Sequence, residues 1–153
     1  MADSKFTYVI YIRTTREKLW HALTKPDSTR QYWCEMTQES EWKPGASWRI
    51  LDPNGRTFDS GQVVEITPEH HLVLKWRHEV DAKMKAEGYS RLSYDLEDKA
   101  DTVKLTVQHT MGVGDSKLIK AVSEGWPAIL SSLKSLLETE RPLEVTRHSE
   151  EKI

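Results

Sequence analysis

Apolar residues recur along this chain at two periods, and the change from one to the other marks out its elements. Phe6, Tyr8, Ile10 and Ile12 alternate with Thr7, Val9, Tyr11 and Arg13, the pattern of a strand with one buried face. Thr14 and Glu17 have the spacing of a capping box, and Thr15 caps equally well. A helix is therefore expected from about Arg16, with Leu19, Trp20 and Leu23 as its apolar side. Pro26 ends it, and Asp27 or Ser28 can cap a second short helix through about Tyr32 and Trp33. Residues 36–41 read as a short strand, Lys43-Pro44-Gly45 as a turn, and Trp48 and Ile50 share the face of the next strand. Asp52-Pro53-Asn54-Gly55 is a hairpin signal before a longer strand from Arg56 to Ile66, in which Phe58, Val64 and Ile66 have one parity and Gly61 marks a bulge. After a turn at Thr67-Pro68-Glu69, Leu72, Leu74, Trp76 and His78 alternate with Val73, Lys75 and Arg77, the clearest alternation in the sequence.

Residues 79–88 interrupt it with charge and a closing glycine, the pattern of a mobile hairpin loop with room for one helical turn. Leu92, Tyr94 and Leu96 then match Val103, Leu105, Val107 and His109 across a turn at 98–101, which makes another antiparallel pair. The period changes to three and four in the last patterned segment, Lys117 to Glu140. There Ile119, Val122, Trp126, Ile129, Leu130, Leu133, Leu136 and Leu137 form one stripe, opposite Lys120, Glu124, Ser131, Lys134 and Glu138. So one-sided a helix must lay its stripe on something, and the alternating strands are the available partner. Pro127 lacks the N–H that would bond to Ser123. The helix therefore either starts near Ser123 or begins at Asp115 or Ser116 and bends, and the second is the favoured reading. Residues 141–153 are polar and aperiodic, so a single domain over 1–140 is expected to end in a disordered tail.

Composition narrows the classes of function. The 153 residues suit one domain, long enough to bury roughly 70% of the unfolded surface. With 22 basic and 24 acidic side chains the formal charge is -2, which gives no field to gather nucleic acid or an anionic membrane. Cys34 is the single cysteine, so there is no internal disulfide, and no signal-like apolar core stands near the start; both fit a cytoplasmic protein. No run approaches the roughly 20 apolar residues of a membrane helix. Six tryptophans against two phenylalanines suggest broad aromatic contacts around a core or a pocket.

REKLWHALT, QYW at 31–33, WKPGASWRI at 42–50, GQVVEITPEHHLVLKW at 61–76 and SEGWPAILSSLKSLLE at 123–138 together resemble the family named for the activator of heat-shock protein 90 ATPase. That family lies within the START-like or SRPBCC superfamily, with pollen-allergen-like proteins, lipid-transfer domains and polyketide cyclases. The resemblance implies an α+β helix-grip fold: a curved antiparallel sheet of about seven strands around the long C-terminal helix, with two short helices after strand one and a cavity between sheet and helix. On that frame the strand parities put Trp48, Phe58, Leu74, Trp76, His78, Tyr94, Leu105 and His109 on the inner face, with Trp126 and Leu130 on the helix. These ten are the candidate ligand-binding residues, aromatic surface with a few polar ends. The alternative is that they fill the core.

No catalytic motif and no metal set emerges, and no cofactor is implied. His70 and His71 leave a strand on opposite faces, and His21 and His148 lie on a helix surface and in the tail. His78 and His109 share the inner face, but in the family's sheet order they stand two strand spacings apart, roughly 9–10 Å, too far for common zinc ligation at about 2 Å per bond. Cys34 has no histidine near it in sequence, no serine stands in a G-x-S-x-G elbow, and Gly112-Val113-Gly114 is a weak anion cradle that a tight strand-to-helix turn also explains. Glu65 and Glu79 are unpaired by spacing. Lys75, Arg77, Arg91 and the loop 79–88 offer an outer surface for a protein. Three functions follow: a binder of a small hydrophobic or aromatic molecule, a co-chaperone-like activator of a heat-shock protein ATPase, and a small cyclase or hydrolase acting on a polyketide-like substrate.

Overall fold

The computed structural model describes residues 3–146. Strand β1 (Ser4–Ile12) leads into helices α1 (Arg16–Thr24) and α2 (Pro26–Tyr32). Strands β2 (Thr37–Ser40), β3 (Ser47–Leu51), β4 (Thr57–Thr67) and β5 (His71–His78) follow, then a short helix α3 (Ala82–Ala86), strands β6 (Ser90–Lys99) and β7 (Thr102–Met111), and the long helix α4 (Lys117–Thr139). The strands form one antiparallel sheet in the order β1-β7-β6-β5-β4-β3-β2. From β2 to β7 each strand pairs with the next in sequence; only β1 closes non-locally, beside β7. Since β1 and β2 are opposite edges, α1 and α2 carry the chain from one edge to the other. The result is an α+β helix-grip fold in which the curved sheet lays its inner face on α4.

Trp126, Leu130 and Leu133 of α4 are buried against Leu74, Leu105, Val107 and their neighbours on the sheet, each contributing about 1.5–3 kcal/mol relative to exposure. Of the two starts Pro127 allows, the helix takes the earlier. Ser116 caps it, its Oγ accepting from Ile119 N at 3.1 Å, and the helix runs through Pro127 to Thr139. The far end is tied to β1, where Lys134 Nζ donates to the Tyr11 carbonyl and Glu138 accepts from Arg13 N.

Several local expectations are corrected. Thr15, not Thr14, caps α1 through Lys18 N, while the Thr14 hydroxyl is buried without a partner. Pro26 is the first residue of α2 rather than only the end of α1, and Lys25 precedes it with no side-chain cap, because proline fixes a helical φ where no N–H is needed. In β4 the bulge lies at Val64 instead of Gly61, with a second irregularity at Phe58. The two flip the parity between them, so Asp59 and Val63 are buried while Val64 faces out. Gly61 serves a close approach: a Cβ there would stand 1.7 Å from the Lys75 carbonyl oxygen. The loop 79–88 does form the helical turn expected of it, α3, capped by the Asp81 carboxylate. Residues 141–146 pack on α4 instead of fraying; Leu143 N and Thr146 Oγ1 both donate to Ser132 Oγ, and Thr146 is buried in a short 3-10 turn. Ser132, on the stripe side of the helix, supplies the anchor that hydrophobic periodicity overlooks. The rest of the expected tail lies outside the described residues.

Candidate functional site

A cavity of about 400 Å³ opens between the inner sheet face, α4 and the end of α2. Strands β4 and β5 contribute Phe58, Asp59, Trp76 and His78; α4 contributes Val122, Gly125, Trp126 and Ile129. The third wall, from the turn after α2, holds Trp33, Cys34 and Met36. That turn carries two successive non-glycine residues in the left-handed region, Cys34 at φ 51° and Glu35 at φ 60°, a costly conformation that the packing of Trp33 beside it sustains. Met84 of α3 and Thr146 complete the rim.

Aromatic side chains make most of the surface. Trp33 lies 6.0 Å from Trp76 in a stacked arrangement and 5.2 Å from Trp126 edge-on, and Trp48 backs Trp76 at 4.8 Å. Four of the six tryptophans thus form one cluster, each pair within the 4.5–7 Å range of favourable ring contacts. Of the ten residues expected at the site, Phe58, Trp76, His78 and Trp126 line the cavity. Trp48, Leu74, Tyr94, Leu105, His109 and Leu130 are buried behind that surface in the core. Inner-face parity distinguishes inside from outside but does not tell cavity from core. Trp33, Cys34, Met36 and Asp59 also line the cavity, with no signal in the sequence pattern to place them there. The first three sit on a non-repeating turn, and Asp59 reaches the inner face only through the bulges of β4.

His109 is a core residue with both ring nitrogens hydrogen-bonded. Ser90 Oγ donates to the Trp76 carbonyl at 2.9 Å, so its one hydrogen is spent and it must accept from His109 Nε2–H at 2.8 Å. His109 Nδ1 then accepts from Trp126 Nε1–H at 3.3 Å. Burial drives the imidazole down to a pKa of about 3, so the ring is neutral. The chain Trp126, His109, Ser90, Trp76 ties α4 to three strands. Trp48 is satisfied likewise: its Nε1 donates to Gln38 Oε1, and Gln38 Nε2 donates to the Leu23 carbonyl.

His78 is placed differently. Its Nδ1 lies 3.0 Å from Asp59 Oδ1, and both side chains are buried at the cavity wall. Burial raises the Asp59 pKa, with the His78 hydrogen bond and charge pulling the other way. On the outer face His71 stands between Asp95 at 2.6 Å and Glu65 at 3.1 Å; burial disfavours its cation, but the two carboxylates outweigh burial and hold its pKa above the usual value. The start of α4 offers no vacant anion cradle, because Glu87 accepts there from Ser116 Oγ at 2.6 Å and Lys117 N at 2.7 Å. Among the described residues no helix is long and apolar enough to cross a membrane.

A curved antiparallel sheet gripping one long C-terminal helix is the fold of the START-like, SRPBCC class of proteins. Within that class the chain belongs to the family of activator of Hsp90 ATPase homolog 1-like proteins, whose model matches residues 13–138. Among curated proteins none matches it in sequence. Solved structures share the fold at low identity. DynU16, a protein of the dynemicin biosynthetic locus, is 19% identical with a TM-score of 0.75 over 95% of this chain, which spans only 50% of that one. CalU16 from Micromonospora echinospora is 17% identical with a TM-score of 0.72 over 97% of this chain and 83% of its own. The Aha1 dimer from Colwellia psychrerythraea is 19% identical with a TM-score of 0.69 over 89% of this chain and 97% of its own.

Proposed function

We propose that this protein binds a small, mostly apolar aromatic molecule in the cavity between sheet and helix. The observation that carries the reading is Gly125. It lies in the middle of α4, lines the cavity, and a Cβ added there would meet nothing within 4 Å. A helix-interior glycine costs about 1 kcal/mol against alanine, and no close backbone approach accounts for this one. Space kept open beside three tryptophans is what an aromatic occupant needs. The origin of DynU16 in a biosynthetic locus agrees with a small-molecule role.

The test is a thermal-shift and tryptophan-fluorescence screen against naphthalene-class aromatics, flavonoids and lipids. A saturating occupant is expected to raise Tm by several degrees, on the order of 2–3 kcal/mol at a hundredfold excess over Kd. Gly125→Leu, which fills the space with a better helix former, is expected to fold and to lose the response. Absence of any response in the wild-type protein would remove this reading.

A second reading, stimulation of a chaperone ATPase, follows the family's name. Tyr89 favours it: the ring is 44% exposed on the outer face, with Lys75 Nζ and the Arg77 guanidinium each 4.9 Å from its centre, an aromatic and cationic patch suited to a protein partner. An unchanged ATPase rate of an Hsp90-class chaperone on adding the protein would eliminate it.

A further inference from the structure

At one end of the cavity the apolar lining gives way to polar atoms that the protein does not complete. Asp59 and His78 are register partners on β4 and β5, 4% and 7% exposed, joined Oδ1 to Nδ1 at 3.0 Å. The second ring nitrogen, His78 Nε2, has no hydrogen-bond partner among the described residues. Two residues along the same face, Trp76 Nε1 is buried with none. Its N–H is directed at the Asp59 carboxylate and helps to hold that group's pKa down, but at a geometry too poor for a full hydrogen bond. A donor buried without a partner is costly, and with the acceptor beside it on the cavity wall it gives a polar occupant two atoms to complete.

We propose that this polar end selects aromatic ligands carrying a hydroxyl group, with His78 Nε2 accepting the ligand's O–H while Asp59 orients the imidazole through Nδ1. The proposal rests on the reading of the cavity as a ligand site. In the pair of a neutral imidazole and an Asp59 carboxylate that accepts from Nδ1–H, the lone pair is left on Nε2, and that nitrogen is an acceptor. A hydroxyl donates to that lone pair and keeps an oxygen for the indole N–H of Trp76. An ether oxygen can serve only the indole, and a hydrocarbon serves neither. A phenol is the stronger donor among hydroxyls and brings the flat ring that Trp33 and Trp126 can stack and edge against. Carboxylates and phosphates are disfavoured, because the charged side chains lining the cavity are Asp59 and Glu124, with no lysine or arginine among the described lining residues.

The probes are 2-naphthol, 2-methoxynaphthalene and naphthalene, titrated calorimetrically into the full-length protein. The wild type is expected to prefer 2-naphthol over its methyl ether about tenfold, the effect of one buried hydrogen bond. That preference is expected to fall severalfold in Asp59→Asn and to vanish in His78→Phe. The ring 15N resonances of His78 are expected to move with 2-naphthol and to stay in place with the ether. This readout needs no variant and decides the matter even where a substitution prevents folding. Equal affinity for naphthol and ether overturns the hydroxyl selection while leaving the ligand site standing. A preference that survives both variants places the hydroxyl elsewhere and overturns the role of His78. Binding of none of the three, with no response in the wider screen, removes the ligand-site reading and this proposal with it.

Discussion

At the scale of single residues, His78 and His109 show how one residue type on one sheet face takes opposite parts. His109 has both nitrogens bonded inside the core, whereas His78 has one nitrogen held and one open to the cavity. The difference is measurable by pH. His109 titrates at about 3 in the folded protein against about 6.5 unfolded. Its contribution to stability is therefore complete above pH 6.5 and is lost as pH falls from there toward 3, at about 1.4 kcal/mol per pH unit for one proton. NMR is expected to show its ring signals unmoved between pH 8 and 5. His109→Ala should cost about 3 kcal/mol in urea denaturation, since it opens a cavity and orphans the Trp126 indole N–H, and should lack this component of the acid slope.

At the scale of elements, two glycines on facing structures make opposite predictions. Gly61 on β4 lies against the backbone of β5, and Gly61→Ala must push a Cβ into the Lys75 carbonyl; a loss of about 3 kcal/mol or more is expected. Gly125→Ala in α4 meets open space, so a gain of roughly 0.5–1 kcal/mol is expected from helix propensity alone. Chemical denaturation of the pair checks both signs. The two bulges of β4 matter in the same way: they turn Asp59 inward to meet His78, and without them the strand would keep one parity and leave that carboxylate outside.

At the scale of the whole molecule, the connection β5–α3–β6 is fixed by Glu79. It accepts from Ser60 Oγ at 2.6 Å and Arg77 Nε at 2.7 Å and lies 3.2 Å from Lys85 Nζ. Partial burial opposes its ionisation, but these donors together bring its pKa down to about 2. A depressed carboxylate stabilises above its unfolded value of about 4.5, and that stabilisation is lost as pH falls toward 2. Glu79→Gln is expected to lose about 1–2 kcal/mol at pH 7, discounted for the solvent around the pair, and only a small remnant of that at pH 2, by urea denaturation at each pH. The sequence by itself determined the order of elements, the buried faces of β1, β3, β5, β6 and β7, and the one-sided α4, because these follow from side-chain periods of 2 and 3.6 that local chain geometry enforces. Trp76, His78 and Trp126 were legible as inner-face residues on the same grounds, and Phe58 only because the flipped parity of β4 begins after it. Only the tertiary structure decided that Leu74, Leu105 and His109 are core while those four line a cavity, that Trp33 and Met36 form its third wall, and that Asp59 meets His78. Each depends on a bulge, a left-handed turn or the distance between facing layers, and none of these leaves a period in the chain.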